Sequence, residues 1–183
     1  MFVLLAVPLG VVAGFLIGGR LDRLAQIRFE WAWLAVTGLA VQIVLFSTSI
    51  GESFTGGVGE AIYVASTGAV LVAVWRNLAV PGLPLVAVGA ISNLAAIVAN
   101  GGVMPTTPDA LARAGLDPAD GFSNSAVLDD PLLAPLTDIF AIPAGLPFAN
   151  VFSVGDVLIA VGIVIAIAIG MQRGDPGATP ARS

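Results

Sequence analysis

Two aspartates, Asp138 and Asp156, lie 156 − 138 = 18 residues apart and are the side chains of this 183-residue sequence best suited by type and spacing to catalysis. Asp138 stands in a proline-rich segment between Pro135 and Pro143, and Asp156 opens the last apolar stretch, Ser153–Met171. The sequence has no His and no Cys, and all seven basic residues are Arg. That excludes Ser-His-Asp and Cys-His nucleophiles, Schiff-base lysines and Cys/His zinc sites. Two carboxylates brought close cannot both ionise cheaply, so one keeps its proton and acts as acid while the other acts as base on a water. This is aspartic-peptidase chemistry; it needs no cofactor and no metal, and neither is assigned. The competing reading is local. Ser153-Val154-Gly155-Asp156 has the S-x-x-D form of a capping box before an apolar run, and a loop Asp among prolines is commonly a turn residue. From the residues alone, cap and catalytic group weigh equally for Asp156.

The elements that must position these residues are apolar. Hydrophobic residues make up 57% of the chain and charged residues 10%, with mean hydropathy +0.99. A water-facing domain carries about 25% charged residues. The expected fold is all-α, an integral membrane bundle of about five spans near 1–19, 31–50, 61–78, 83–99 and 153–171. Roughly 20 residues at 1.5 Å per residue cross a hydrocarbon core of about 30 Å. One transmembrane domain, 1–173, is expected, followed by a disordered cytoplasmic tail, 174–183. The first stretch reads as a span and not a signal peptide, because Arg20, Arg23 and Arg28 follow it instead of preceding it. Gly10, Gly14 and Gly18 share one face of a helix, the spacing that lets another helix approach closely. Trp31, Trp33 and Trp75 with Arg76 mark membrane interfaces. Gln42, in mid-span, needs a polar partner from another helix. Five spans with the N-terminus outside put Arg20, Arg23, Arg28, Arg76, Arg173 and Arg182 on one side and Arg113 alone on the other, which satisfies the positive-inside rule. The lipid bilayer of a plasma membrane is the expected setting, with a multi-pass topology and no nucleic-acid partner. No internal repeat is visible.

The long connection 100–152 is expected to be an extracytoplasmic loop. Residues 100–150 hold seven of the twelve prolines and half of the acidic residues, with one basic residue, Arg113. Within it, Thr107 as cap, Pro108 at the first helical position, Asp109 in the first turn and Gly115 as stop predict one short helix. Asp129, Asp130 and Asp138 would suit a hard cation such as Ca²⁺ if they converged, although acids in one loop are commonly just solvated, and no metal is assigned.

A resemblance adds to this reading. Thr137-Asp138-Ile139-Phe140 and Val151-Phe152-Ser153-Val154-Gly155-Asp156 resemble the D-F and F-N-x-A-D motifs of lipoprotein signal peptidase (signal peptidase II), with Ser153 where that family has Asn and Gly155 where it has Ala. Gly89-Ala90-Ile91-Ser92-Asn93-Leu94 is similar to its G-A-x-G-N-L. The resemblance implies a catalytic dyad of Asp138 and Asp156 on the extracytoplasmic side, supporting roles for Asn93 and Ser153, and a lipopeptide or membrane-protein substrate. Asn100, which opens the loop, joins the supporting polar residues. The whole chain also resembles uncharacterised bacterial multi-spanning proteins with NGGVMP and SVGD segments.

Two further classes compete with the hydrolase. One is a non-enzymatic membrane protein whose acidic outer loop binds a partner, a lipid or a cation. The other, a small transporter, would be expected to carry a mid-membrane pair of ionisable residues, and only Asp156 offers itself.

Overall fold

The protein is described from a computed structural model covering residues 2–47, 57–116 and 125–172. The described chain is mostly helical. Its α-helices are α1 (Ala6–Leu16), α2 (Ala32–Ser47), α3 (Val58–Arg76), α4 (Leu83–Ala99), α5 (Pro108–Ala114) and α6 (Val154–Gly170), with 3-10 turns at Phe2–Leu5, Leu21–Gln26 and Ala134–Leu136. The five longer helices form a row in which consecutive neighbours touch, in the order α1, α6, α4, α3, α2.

By length and composition, α3 is the one helix among the described residues that could cross a membrane. Phe2–Leu16, Ala32–Phe46, α4 and α6 are apolar but 10–17 residues long. At 1.5 Å per residue, 17 residues reach only about 25 Å.

Helix starts and stops follow local chemistry. Asn77 ends α3, and Gly82, in the left-handed region at φ 88°, precedes α4, whose first turn takes Pro84 at no cost in hydrogen bonds. The short helix expected from Thr107 is present as α5. Thr107 Oγ1 accepts the Ala110 N–H at 3.1 Å, Gly115 stops the helix at φ 67°, and Asp109 pairs with Arg113 at 2.8 Å across one turn. Gln42 finds its partner across the row, donating to Thr67 Oγ1 at 3.1 Å.

Glycine governs how closely the row packs. A Cβ at Gly89 would lie 2.4 Å from the Gly155 carbonyl oxygen, and one at Gly82 2.1 Å from that of Gly162, so α4 and α6 meet backbone to backbone at both levels. Gly10 and Gly14 face Ile167 and Met171 of α6, so their small-residue face is used within the chain. Gly18 is not part of that face. It lies past the end of α1, exposed, at φ 79°, because the helix stops at Leu16.

The segment 100–152 departs from the expected loop in an all-α protein. Besides α5 it holds two two-stranded sheets. β1 (Met104–Thr106) pairs in parallel with β2 (Ser125–Val127), and β3 (Phe140–Ile142) pairs antiparallel with β4 (Asn150–Phe152). A bridge from Thr106 to Asp138 ties the two together. Ala110, Leu111 and Ala114 of α5 bury against Val151, with Ala141 beside them, so this cap has a small core of its own. A second core of Leu45, Tyr63, Ala96, Ile97 and Met104 joins helices to cap. A third, of Val74, Leu83, Val86 and Ala87, closes the opposite end. The expected tail 174–183, the end of the span expected at 31–50 and the acids Asp117 and Asp120 lie outside the described residues.

Candidate functional site

Asp156 sits in the first turn of α6, where the unpaired N–H groups and the helix dipole favour a negative charge. The capping box forms in full. Ser153 Oγ accepts the Asp156 N–H at 3.0 Å, and Asp156 Oδ2 accepts the Ser153 N–H at 3.1 Å. Asn93, reaching from α4, completes a ring. Its Nδ2 donates to Asp156 Oδ1 at 2.8 Å, and its Oδ1 accepts from the Ser153 hydroxyl at 2.8 Å. Both carboxylate oxygens therefore hold an N–H donor, and the fully buried Ser153 hydroxyl both accepts and donates. Each oxygen keeps a lone pair for one further donor.

The ring exists because α4 and α6 touch. A Cβ at Gly155 would stand 1.9 Å from Asn93 Oδ1 and 2.7 Å from the Gly89 carbonyl oxygen, so any larger residue there pushes the amide out of reach. The positions are coded in the sequence, since 82 + 162 and 89 + 155 both equal 244, as antiparallel packing of two glycine pairs spaced by seven requires. That spacing was the available signal for Gly89 and Gly155, which a search for reactive groups passes over.

Asp138 is held differently. It is 6% exposed, its N–H donates to the Pro105 carbonyl at 2.9 Å, and its own carbonyl accepts from Thr106 Oγ1 at 3.0 Å. Its backbone thus extends the β1 strand pairing, and the buried Thr106 and Thr137 flank it. The β3–β4 register, Phe140 opposite Phe152, carries the chain just after Asp138 to the chain just before Ser153. The hairpin therefore brings both aspartates to the cap-side end of α6.

Asn100 is placed elsewhere. Its side chain exchanges two hydrogen bonds with the backbone of Leu132, at 2.8 and 2.9 Å, and donates to the Ala96 carbonyl at 2.7 Å. It anchors the cap to the end of α4 and makes no bond to the Asn93 ring. Asp129 and Asp130 are exposed, and among the described residues no group of three or more acidic side chains is placed to hold a metal ion.

A family profile described as Family of unknown function (DUF5317) matches residues 26–168, a span that contains Asn93, Asp138, Ser153 and Asp156 and leaves out α1. No match was found among curated proteins or among solved structures. With well over half of its length matched, the chain belongs to the DUF5317 family, a family of unknown function.

Proposed function

We propose that this is a multi-pass membrane protein whose outward cap, residues 100–152, is a non-enzymatic binding surface, and that Asp156 works as a strut between α4 and α6. The observation that carries the second part is the occupancy of both Asp156 oxygens by fixed N–H donors. With one fixed N–H donor on each oxygen, this carboxylate closes a ring that joins two helices to the base of the cap.

Several features support the membrane setting. The outward faces of the helices carry Leu9, Val12, Phe15, Trp33, Val36, Ile43, Val72 and Trp75, all exposed, a surface that water would not tolerate but lipid would. Four of the helices fall at or below the lower end of the usual spanning length, which bilayer thinning and interfacial flanks accommodate. The arginines also cluster. Arg20 N–H bonds the Met171 carbonyl, Arg23 bonds the Gln172 carbonyl, and Arg76 pairs with Glu30 while lying 5.1 Å from the Trp31 ring centre, all at the end opposite the cap. Five spans, N-out and C-in, fit this distribution, with the cap extracytoplasmic.

Because the chain lacks cysteine, single cysteines test the arrangement directly. Asp130→Cys in the cap should react with a membrane-impermeant maleimide in intact cells, and Arg28→Cys only after permeabilisation. Equal labelling of both would overturn the topology, and release of the protein by alkaline carbonate would overturn membrane integration.

A second reading is favoured by the hairpin register, which gathers Asp138 and Asp156 at one rim. It is the outward-facing aspartic hydrolase that the likeness to lipoprotein signal peptidase implies, with Asp138 and Asp156 as acid and base. Cleavage of a lipopeptide by the purified protein, lost in both Asp138→Asn and Asp156→Asn, would establish it; no cleavage by the folded wild type leaves Asp156 as a strut.

A further inference from the structure

The β3–β4 hairpin divides the cap into two chemically unlike sides. From Ile139 to Gly155 the sequence has no charged residue. One face of the hairpin, Ala141 and Val151, buries against α5. The other stacks Phe152 between Phe140 and Phe2, with ring centres 5.5 and 4.3 Å away. The connecting tip, residues 143–149, ends in open surface, with Leu146 57% and Phe148 52% exposed. Phe148 is held at φ 65°, a conformation unusual for a bulky residue, in a tip tied to α5 by the hydrogen bond from the Ala144 N–H to the Arg113 carbonyl at 2.8 Å. Among the described residues, the exposed charged groups of the cap, Asp109, Arg113, Asp129 and Asp130, lie on α5 and near β2 instead, and Asp138, which precedes the hairpin, is buried.

The hairpin runs directly into the helices, since β4 ends at Phe152 and α6 begins at Val154. Phe140 is exposed on one side of Phe152 and Phe2 stacks on the other. Leu4 and Val7 at the start of the chain, and Val154, Val157 and Val161 along one face of α6, are exposed as well. Phe2 and Phe152 are the seam between those two surfaces.

We propose that the hairpin tip, Leu146 with Phe148, is seated in the headgroup region of the outer leaflet, so that the hairpin is an interfacial anchor holding the cap at the membrane surface. A lipid surface fits this patch better than a protein groove does. The hairpin is uncharged, aromatic-rich at its base and joined through β4 to α6, whose exposed Val154, Val157 and Val161 read as lipid-facing, while the charged residues Asp109, Arg113, Asp129 and Asp130 are exposed elsewhere on the cap. The proposal rests on the multi-pass reading above, and its test separates the two.

Single-cysteine variants Leu146→Cys, Phe148→Cys, Val161→Cys and Asp130→Cys are labelled with an environment-sensitive fluorophore and reconstituted in phosphatidylcholine–phosphatidylglycerol vesicles. Each is challenged with aqueous iodide, with lipids carrying a nitroxide near the headgroup, and with lipids carrying one deep in the acyl chain. The expected result is quenching of positions 146 and 148 by roughly twofold with the shallow nitroxide and little by iodide, position 161 by the deep nitroxide, and position 130 by iodide. Quenching of 146 and 148 by iodide, with 161 still reached by the deep nitroxide, overturns the anchor and leaves the membrane reading standing. Protection of 146 and 148 from all three quenchers also overturns it, in favour of a contact between copies of the chain. If 161 is quenched by iodide instead, the membrane reading falls and the anchor with it. Should Phe148→Cys misfold at its unusual φ, Leu146→Cys carries the same readout.

Discussion

Two asparagines close the two ends of the helix row, and they do so with different partners. Asn77, 5% exposed at the end of α3, uses its whole amide on backbone: it accepts the Glu30 N–H at 2.8 Å and donates to the Glu30 and Ala73 carbonyls, each at 2.7 Å. Asn93, at the cap side, spends its amide on the side chains of Ser153 and Asp156. The Asn77 tie is fixed by main chain that no substitution of its partners can alter. The Asn93 tie is made of groups whose identity can change, one of them a carboxylate. The Asn77 end carries its charges on exposed side chains such as Arg76 and Glu30, whereas the Asn93 end ties a carboxylate into the helix contact itself, next to the cap and the candidate site.

The largest test of this contrast falls on the glycine that makes the Asn93 ring reachable. Gly155→Leu should destabilise the protein by about 3–5 kcal/mol, because its side chain has no room against Asn93 and the Gly89 carbonyl. Gly68→Ala, whose Cβ meets nothing within 4 Å, should be neutral or stabilise by up to about 1 kcal/mol. Thermal unfolding of both in the same detergent decides whether the contact or mere helix propensity matters. Next in size, Asn77→Ala leaves three backbone groups without their partner and should cost about 2–3 kcal/mol. Asn93→Ala should cost less, about 1–2 kcal/mol, since the capping box still satisfies Ser153 and Asp156. Its effect and that of Asp156→Ala should fall short of additive in a double-mutant cycle. Additive losses would mean the ring is not one unit and would remove the contrast between the two asparagines.

The smallest effect is expected at Asp22. The hydrogen bond from Arg20 lowers the Asp22 carboxyl below its ordinary value. A carboxylate depressed in the folded state adds stability above its unfolded pKa, and that stability is lost as pH falls through the folded value. Both groups are exposed to solvent, which screens the pair, so Asp22→Asn should leave stability at neutral pH nearly unchanged, and acid unfolding curves of the two proteins should nearly coincide.

Much of the helical plan was legible because its signals are local. Residues 83–99 form α4 as expected, with Asn100 at its end, and Ser153 opens α6 through the capping box its spacing predicts. Thr107, Pro108 and Gly115 specify α5 without reference to anything distant. The strands of the cap were not legible. Each is three residues long, too short to show a period of two, and β1 is defined by a partner some twenty residues away, as Thr106 is by Val127. Gly18 was read onto a helix face by spacing alone, although the Gly18-Gly19 pair is itself a helix-stop signal and Gly18 takes the left-handed conformation just past the end of α1. At the site, Asp156 and Ser153 could be named from their local spacing and Asn93 only through a family resemblance, because Asn93 acts across 63 residues and what licenses its bond is the absence of a side chain at Gly155.

The place of α1 at the far side of α6 bears on how the molecule is made. Gly10 packs on Val164 and Ile167, so 164 − 10 = 154 residues separate α1 from the helix it packs on among the described residues. At a synthesis rate of about 5–20 residues per second, α1 leaves the ribosome roughly 8–30 s before α6 does. α1 is therefore made well before the helix it packs on, and its glycine face stays uncovered until α6 has been synthesised.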